Sequence, residues 1–536
     1  MSPSSPARAC AACGAPEVLP KKLRGCTACS SPEVAYCGRE CQVKDWSKHK
    51  VPCGAARKAR LASAQTACGH RSIFAAARAG DMDAVKTLVD AGANIKSKDA
   101  DGCTAAYAAA SEGHVGVVEY LDEKGVNLNQ GNDAGATPSF AAAKAGQEAA
   151  LTFLADNGAL LDKPRADGQA PAHAAAGSGH LNVVQFLAER GVPFGQPDRE
   201  GWFPTHHAAG GGHVEVLRFL TQDKGQQQRG PHVNQATRDG TTAVFAAAKA
   251  GHVGVVHFLA ASGADLDLTM SDGATPTFIA AMRGHDAVVR CLAENGANVN
   301  RRATENYTPV YAAAMKGHAA IVRCLAKHDA YLDVPRDGDG ATAAHVASRK
   351  GFLETVRCLA EEGADLDRKA LDGSTPAWAA ARHGHLDVVK FLVDSGAAPD
   401  VPVDEGSDEG VTALMAAARE GHLEIVRFLA GKGAKVLRRT EDGESAIDFA
   451  RDRGHEAVAK LLSDVVAHAL YVAERRYPYC LLRRKCRAEG LSAAEDRELN
   501  HFLFGRPDTA EKEDGAAPAL VAPDRVFNQV CRYLVS

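Results

Sequence analysis

The sequence predicts a mostly α-helical protein: a solenoid of about twelve short repeats, with a small zinc-binding module before it and a helical tail after it. Two observations predict this organisation. Asp-Gly or Glu-Gly pairs recur through the middle of the chain, usually 33 residues apart, and a fixed period in this range indicates stacked supersecondary units. Before the repeats, seven cysteines and one histidine fall in close pairs between residues 10 and 53.

Composition narrows the class of protein. Hydrophobic content of 45% and charged content of 24% are typical of a soluble folded chain of several domains. The net charge of -4 provides no global basic field, which disfavours nucleic acid as a partner. We expect no membrane span, since no run of about 18 apolar residues occurs. We see no secretory signal and therefore expect a reducing compartment, the cytoplasm and/or the nucleus.

The N-terminal module is predicted to cover residues 10–53, after a stretch at 1–9 that we expect to be flexible. Its potential ligands form four pairs, Cys10 with Cys13, Cys26 with Cys29, Cys37 with Cys41, and His49 with Cys53. Eight thiolate and imidazole ligands suit two tetrahedral zinc sites. A module of this size has too little core to fold unaided, so zinc should supply folding energy. The spacing alone leaves sequential and interleaved pairings open.

The segment from Tyr36 to Cys53 closely resembles the MYND-type zinc finger, and all eight ligand positions are present in order. The resemblance implies two structural zinc ions with interleaved ligands. They are Cys10, Cys13, Cys37 and Cys41 for the first ion, and Cys26, Cys29, His49 and Cys53 for the second. It also implies binding of short Pro- and Leu-containing peptides, with contacts on Gln42 and Trp46. Trp46 could equally anchor the small zinc scaffold, and the two roles are compatible.

A linker helix is expected at 54–71, followed by the repeats at 72–466. Residues 272–304 illustrate the unit. After the Asp-Gly turn, Thr275 is expected to cap a short helix with Pro276 at its first position. Gly284 should end that helix, and a second helix should cover 287–293.

These motifs look like ankyrin repeats, for example TPAWAAARHGHLDVVKFLVDSG, and we count ten complete units from 101 to 441 between a partial unit and a final one. The resemblance implies a stack in which each unit packs only on its neighbours, with a concave face that binds a second protein. A family histidine that links repeats survives at His173, His206 and His345. The equivalent residues elsewhere should pack between units. They are Tyr107, Phe140, Phe245, Phe278, Tyr311, Trp378 and Met415.

Other recurring residues invite a more chemical interpretation. Nine histidines follow glycine at one repeat position, and we interpret them as turn residues rather than as a metal or catalytic array. Cys291, Cys324 and Cys358 share another position and are expected to fill the core. Insertions at 224–232 and 401–408 are either tolerated surface loops or contact loops at the edge of the concave face.

The C-terminal part is predicted as a basic helical segment at 467–504, a flexible linker at 505–522 and an amphipathic helix at 523–536. Leu482 and Cys486 have the Leu-x3-Cys spacing of a SOCS-type box, which recruits a ubiquitin ligase. Leu481 and Gly490 depart from the flanking pattern of that box.

No phosphate-binding loop, Gly-x-Ser-x-Gly motif or kinase motif set occurs in the chain. We therefore expect neither an enzyme nor a small-molecule substrate. The predicted function is a zinc-binding adaptor for other proteins, in which the finger binds a peptide and the repeats bind a second protein. The alternative is a substrate-recognition subunit of a ubiquitin ligase.

Overall fold

A computed structural model describes residues 24–26, 31–36, 58–70, 72–221, 233–404 and 408–468. The finger contributes two antiparallel strands, Arg24–Cys26 and Ser31–Tyr36. Arg24 pairs with Tyr36 and Cys26 with Ser31, with a register shift between Gly25 and Cys26. Residues 58–68 form a helix. The other secondary-structure elements of the described chain are all helices, apart from isolated bridges, and this confirms the predicted mostly α-helical fold class.

The described part of residues 72–468 contains twelve helix pairs, numbered here as repeats 1 to 12. The first helices are Ile73–Ala79, Ala105–Ser111, Pro138–Ala145, Pro171–Ser178, Pro204–Gly211, Ala243–Ala250, Pro276–Arg283, Pro309–Lys316, Ala343–Lys350, Pro376–Arg382, Ala413–Arg419 and Ala446–Asp452. The second helices are Met82–Asp90, Val115–Glu123, Glu148–Asp156, Leu181–Glu189, Val214–Thr221, Val253–Ala261, Asp286–Glu294, Ala319–Ala326, Leu353–Glu361, Leu386–Asp394, Leu423–Gly431 and residues 456–468. A short 3-10 helix, Thr304–Asn306, lies in one turn. The chain divides into two compact units, Met1–Asp265 with repeats 1 to 6 and Leu266–Ser536 with repeats 7 to 12.

Local signals set the helix ends. The Thr275 hydroxyl accepts a hydrogen bond from the Phe278 amide, and the helix begins at Pro276 as predicted. Pro suits this position because the first amides of a helix have no intrahelical acceptor. The helix ends at Gly284, whose φ of 84° belongs to the left-handed region that favours glycine.

Each helix packs on its counterpart in the adjacent repeat of the same unit. The first helices can approach closely because their buried positions are mainly alanine, such as Ala280 and Ala281. The second helices bury larger side chains, for example Val289 and Leu292, which are fully inaccessible. Full burial of one leucine stabilises the fold by about 2 kcal/mol, so Leu292→Ala would open a costly cavity.

The histidine that follows glycine links successive repeats. Its Nε2–H donates to a carbonyl oxygen near the end of the preceding first helix, at distances of 2.9 to 3.2 Å, in the cases of His114, His180, His213, His252, His385 and His422. The imidazole of His180 lies directly against Gly146, where a Cβ would come within 2.6 Å of the ring. These histidines therefore hold repeats together, and no group of three or more metal-ligating side chains occurs in the described residues.

Candidate interaction surfaces

In the finger, the described strands place one of the predicted zinc ligands. Cys26 ends the first strand, and its pair partner Cys29 precedes the second strand, which begins at Ser31. A Cys-x2-Cys pair between antiparallel strands is the arrangement of a zinc knuckle, and a set of seven thiolates and one imidazole fits zinc. The other seven ligands, with Gln42 and Trp46, lie outside the described residues.

The Asp-Gly turns and the first helices together form one surface of each unit, which we call the inner face. Two of the three family histidines link repeats beneath it. The fully buried His206 accepts from the Phe203 amide at Nδ1, 3.3 Å, and donates from Nε2 to the Thr241 carbonyl, 3.0 Å. His345 donates in the same way to the Ser374 carbonyl, 3.0 Å. Burial lowers the pKa of His206 to about 4, so the ring is neutral near pH 7.

The third family histidine makes a different set of contacts. Nε2 of His173 is buried and has no hydrogen-bond partner in the described part of the chain. Its ring meets that of His207 edge-on, with centroids 5.5 Å apart, and His207 in turn contacts the buried Asp198 carboxylate at 3.0 Å. Burial, and then the charge of His207, lower the pKa of His173 to about 4. Repeats 4 and 5 thus hold a pair of buried neutral histidines.

Tyr107 and Phe140, two of the aromatic residues at this position, pack between repeats as predicted. Phe140 is buried in a cluster with Ala136 and Ala174, and Tyr107 from the preceding repeat packs against it. Tyr311 is likewise buried, with its ring centroid 5.0 Å from that of Tyr307. Apolar contact replaces the hydrogen bond that a histidine would make here.

The cysteine prediction is only partly right. Cys358 is buried and its Sγ lies 3.4 Å from the Ala319 carbonyl oxygen. Cys291 and Cys324, however, are partly exposed rather than core-filling. Cys324 lines an outer groove of about 480 Å³ between repeats 7 and 8. Other repeats have phenylalanine at this position, and the smaller thiol covers less of the surface between adjacent second helices.

Three arginines occupy one inner-face position in consecutive repeats, two residues before the glycine that ends the first helix. They are Arg349, Arg382 and Arg419. Asp408, the last residue of the 401–408 insertion, lies between two of them. Its Oδ2 is 2.7 Å from Nη1 of Arg382 and its Oδ1 is 2.5 Å from Nη1 of Arg419.

Asp408 is only 8% exposed. Burial alone would raise the pKa of its carboxyl group, but the hydrogen bonds and charges of Arg419 and Arg382 outweigh burial and lower it. Part of this insertion is therefore a buried clamp on the inner face rather than a free surface loop. The insertion at 224–232 and the tail from 469 onward lie outside the described residues.

The described helices include none long and apolar enough to cross a bilayer.

Comparison with known proteins agrees with these features. The ankyrin-repeat family model matches residues 73–165, 159–229, 227–303, 301–370, 330–403, 364–440 and 401–469. The MYND finger model matches residues 10–53. The chain is similar to the crystal structure of the human ASB11 ankyrin repeat domain, with 28% identity over 41% of this chain and 98% of that chain. The TM-score of that match is 0.38. No curated protein matches the chain.

The protein belongs to the ankyrin-repeat family and carries an N-terminal MYND finger, two modules that mediate protein–protein interaction.

Proposed function

We propose that this protein is an adaptor that brings two proteins together, one on its MYND finger and one on the concave inner face of its ankyrin repeats. The observation that supports it is the presence of both interaction modules in one chain, at residues 10–53 and 73–469. Linking two binding modules raises the effective concentration of one partner near the other, which is the physical advantage of an adaptor.

In the finger we assign two zinc ions to the eight ligands, paired as the MYND resemblance implies. Zinc supplies folding energy there, and four protein ligands on each ion leave no position open for a substrate. We assign peptide binding to Gln42 and Trp46. The Gln42 amide can hydrogen-bond an extended backbone, and the indole of Trp46 can form an aromatic wall for Pro or Leu.

The first test compares proteins captured by the full chain with those captured after removal of residues 1–60. We expect the deletion to lose one set of partners and to keep another set bound to the repeats. If both forms capture the same partners, the finger has no binding role. A Trp46→Ala protein that keeps its zinc and still binds every finger partner would contradict the assignment of that residue.

Native mass spectrometry of the intact chain tests the metal assignment. We expect about two zinc ions per chain, lost on chelation together with the folded finger. A stoichiometry of one would contradict the paired sites.

The alternative function rests on Leu482 and Cys486 in the tail. A substrate-recognition subunit should capture Elongin-type adaptor proteins and lose them when residues 467–536 are removed. Failure to capture them with the full chain would leave the two-partner adaptor as the function.

A further inference from the structure

We use the word interval for the space between the inner-face arginines of two successive repeats. Two neighbouring intervals occupy equivalent positions in the repeat pattern but differ in what fills them. Between repeats 10 and 11, Arg382 and Arg419 enclose the Asp408 carboxylate. Between repeats 9 and 10, Arg349 and Arg382 line a cavity of about 290 Å³. The filled interval therefore shows, within this chain, what the geometry of the other can accept.

The filled interval binds its carboxylate on both oxygens, one to each arginine. The Arg419 side chain is 11% exposed and that of Arg382 is 40% exposed, so the pair is shielded from water on one side. Hydrogen bonds between charged groups in such a setting are shorter and stronger than neutral ones. The insertion of four residues relative to the usual period supplies this carboxylate from the chain itself.

The interval between repeats 9 and 10, which we call the open interval, has two arginines but no described counterpart of the Asp408 carboxylate. Arg349 has no acidic partner among the described residues, and it lines the cavity with the buried side chains of His345 and Trp378. A volume of about 290 Å³ lies just below the roughly 300–1,000 Å³ typical of small-molecule pockets. It suits a protein side chain better than a cofactor.

No other described charged group around the cavity forms an ion pair with Arg349. Asp339 is held by Arg336 through two contacts, 3.0 Å at Nε and 2.8 Å at Nη2. Asp372 lies exposed at the rim, where its Oδ1 accepts from the Ser374 amide at 2.9 Å. His345 is neutral because burial lowers its pKa. An incoming carboxylate would thus meet one unpaired guanidinium and one shared guanidinium, with the Asp372 carboxylate at the exposed rim.

An apolar residue stands beside the cavity. Leu371 is 67% exposed at the tip of the repeat 10 turn, between the cavity-lining Ala370 and Asp372. Its amide donates to the Asp339 carbonyl at 2.9 Å, and its side chain lies against Gly340. The residue in the same place in repeat 11 is Asp404, which is paired with Lys369. Leucine here offers an apolar contact next to a site for negative charge.

We propose that the interval between repeats 9 and 10 binds an aspartate or glutamate side chain of a partner protein, with Arg349 as its charge partner. Trp378 provides the wall of the site, and Leu371 packs against an apolar residue adjacent to that acidic one. This inference rests on the proposed function of the repeats as a protein-binding surface and specifies the chemistry of the bound segment.

The test uses the full chain and a fluorescein-labelled peptide of alternating glutamate and leucine, with binding followed by anisotropy. A glutamine–leucine peptide is the matched control probe. We expect Arg349→Gln to weaken binding of the glutamate peptide roughly tenfold, the loss of one charge-assisted contact. Arg357→Gln removes the same charge from the second helix of the same repeat and should change binding less than about twofold. Equal binding by the two variants, or equal binding of the two peptides, would overturn the proposal.

A second pair of variants tests the equivalence of the two intervals. Asp408→Asn should free Arg382 and Arg419 and so strengthen binding of the glutamate peptide. Asp404→Asn removes the same charge from the same insertion but leaves both arginines paired. Tighter binding by Asp408→Asn than by Asp404→Asn, with both proteins folded by circular dichroism, supports the proposal, and equal binding contradicts it.

The acidic site and the adaptor function can be disproved separately. If the repeats retain a protein partner while Arg349→Gln and Arg357→Gln bind it equally, the acidic site is wrong and the adaptor function stands. If the repeats retain no protein partner, the proposed function fails whatever the peptides do.

Discussion

Repeats 4 and 5 differ from repeats 9 to 11 at one position of the inner face. Two residues before the glycine that ends the first helix, repeats 4 and 5 have Gly177 and Gly210, whereas repeats 9 to 11 have arginine. The backbone is nevertheless the same, since the five helix-ending glycines have φ between 77° and 84°. Side chains at this position therefore do not set the fold, which leaves them free to differ in chemistry from one repeat to the next.

The two regions also stabilise their turns with different groups. Repeats 4 and 5 bury the neutral imidazoles of His173 and His206, while repeats 10 and 11 bury a charged cluster around Asp408. A neutral histidine and an ionised carboxylate respond to acid in different pH ranges. This difference can be tested directly.

The largest expected effect is that of acid on repeats 4 and 5. Between pH 6.5 and about 4 the unfolded chain binds a proton at each histidine while the folded chain does not, so stability falls as pH falls. The loss is about 3 kcal/mol for each histidine across this range. Hydrogen exchange of residues 171–211, corrected for the intrinsic rate, should show it.

Residues 376–419 serve as the reference in the same experiment. Arg419 and Arg382 lower the pKa of the Asp408 carboxyl group, so its contribution is present above the ordinary carboxyl pKa and is lost only as pH falls through the lowered pKa. If both segments lose protection over the same pH range, the assignment of the acid response to the buried histidines is wrong.

Removal of the buried carboxylate should have the next largest effect. Asp408→Ala leaves Arg419 buried without its main partner, at a cost of about 3 kcal/mol. Faster hydrogen exchange in repeats 10 and 11 would report the loss. Asp404→Ala, in the same insertion, is the control, and similar exchange in the two variants would show that the clamp contributes nothing.

Replacement of either buried histidine by phenylalanine should reduce stability less than Asp408→Ala does, and the two replacements should differ from each other. His206→Phe leaves the Phe203 amide without its acceptor and removes one of the hydrogen bonds that the Thr241 carbonyl accepts, at a cost of about 2 kcal/mol. His173→Phe should cost less, because only the Ala170 amide loses an acceptor and Nε2 already has no partner. Local exchange rates in repeats 4 and 5 measure both, and a larger effect of His173→Phe would contradict this ranking.

The smallest expected effect is at the surface pair of Lys369 with Asp404, 2.7 Å apart. Both side chains are more than 40% exposed, so Lys369→Ala should cost no more than about 0.5 kcal/mol. The same exchange measurement applies. An effect as large as that of Asp408→Ala would mean that burial does not explain the difference between the two ion pairs.

The helices and their ends could be predicted from the sequence because the interactions that set them are local. Thr275 caps an amide three residues away, and Gly284 ends the same helix through its own φ. The second helix predicted at 287–293 forms as Asp286–Glu294. The 33-residue period then implied the stack, since each unit buries its apolar face only against a copy of itself.

Contacts that cross repeats were beyond prediction from periodicity. Asp408 lies 26 residues from Arg382 in the chain, and no repeat pattern specifies where an inserted carboxylate comes to rest. His180 was predicted as a turn residue, and its bond to the Lys144 carbonyl, 36 residues away, depends on how neighbouring repeats dock. For the finger, Gln42, Trp46 and the ligand pairing stay predictions from spacing and resemblance.

The glycine–histidine link has a consequence for how such a chain can grow. Most repeats supply a histidine to the repeat before them and a glycine surface to the repeat after them, as His180 does with Gly146 and Gly179 does with His213. A duplicated 33-residue segment would thus already contain the histidine for the contact with the repeat before it and the glycine for the contact with the repeat after it. The array can lengthen or shorten by whole units without a new contact having to evolve, and each added unit brings inner-face positions that can take up new chemistry.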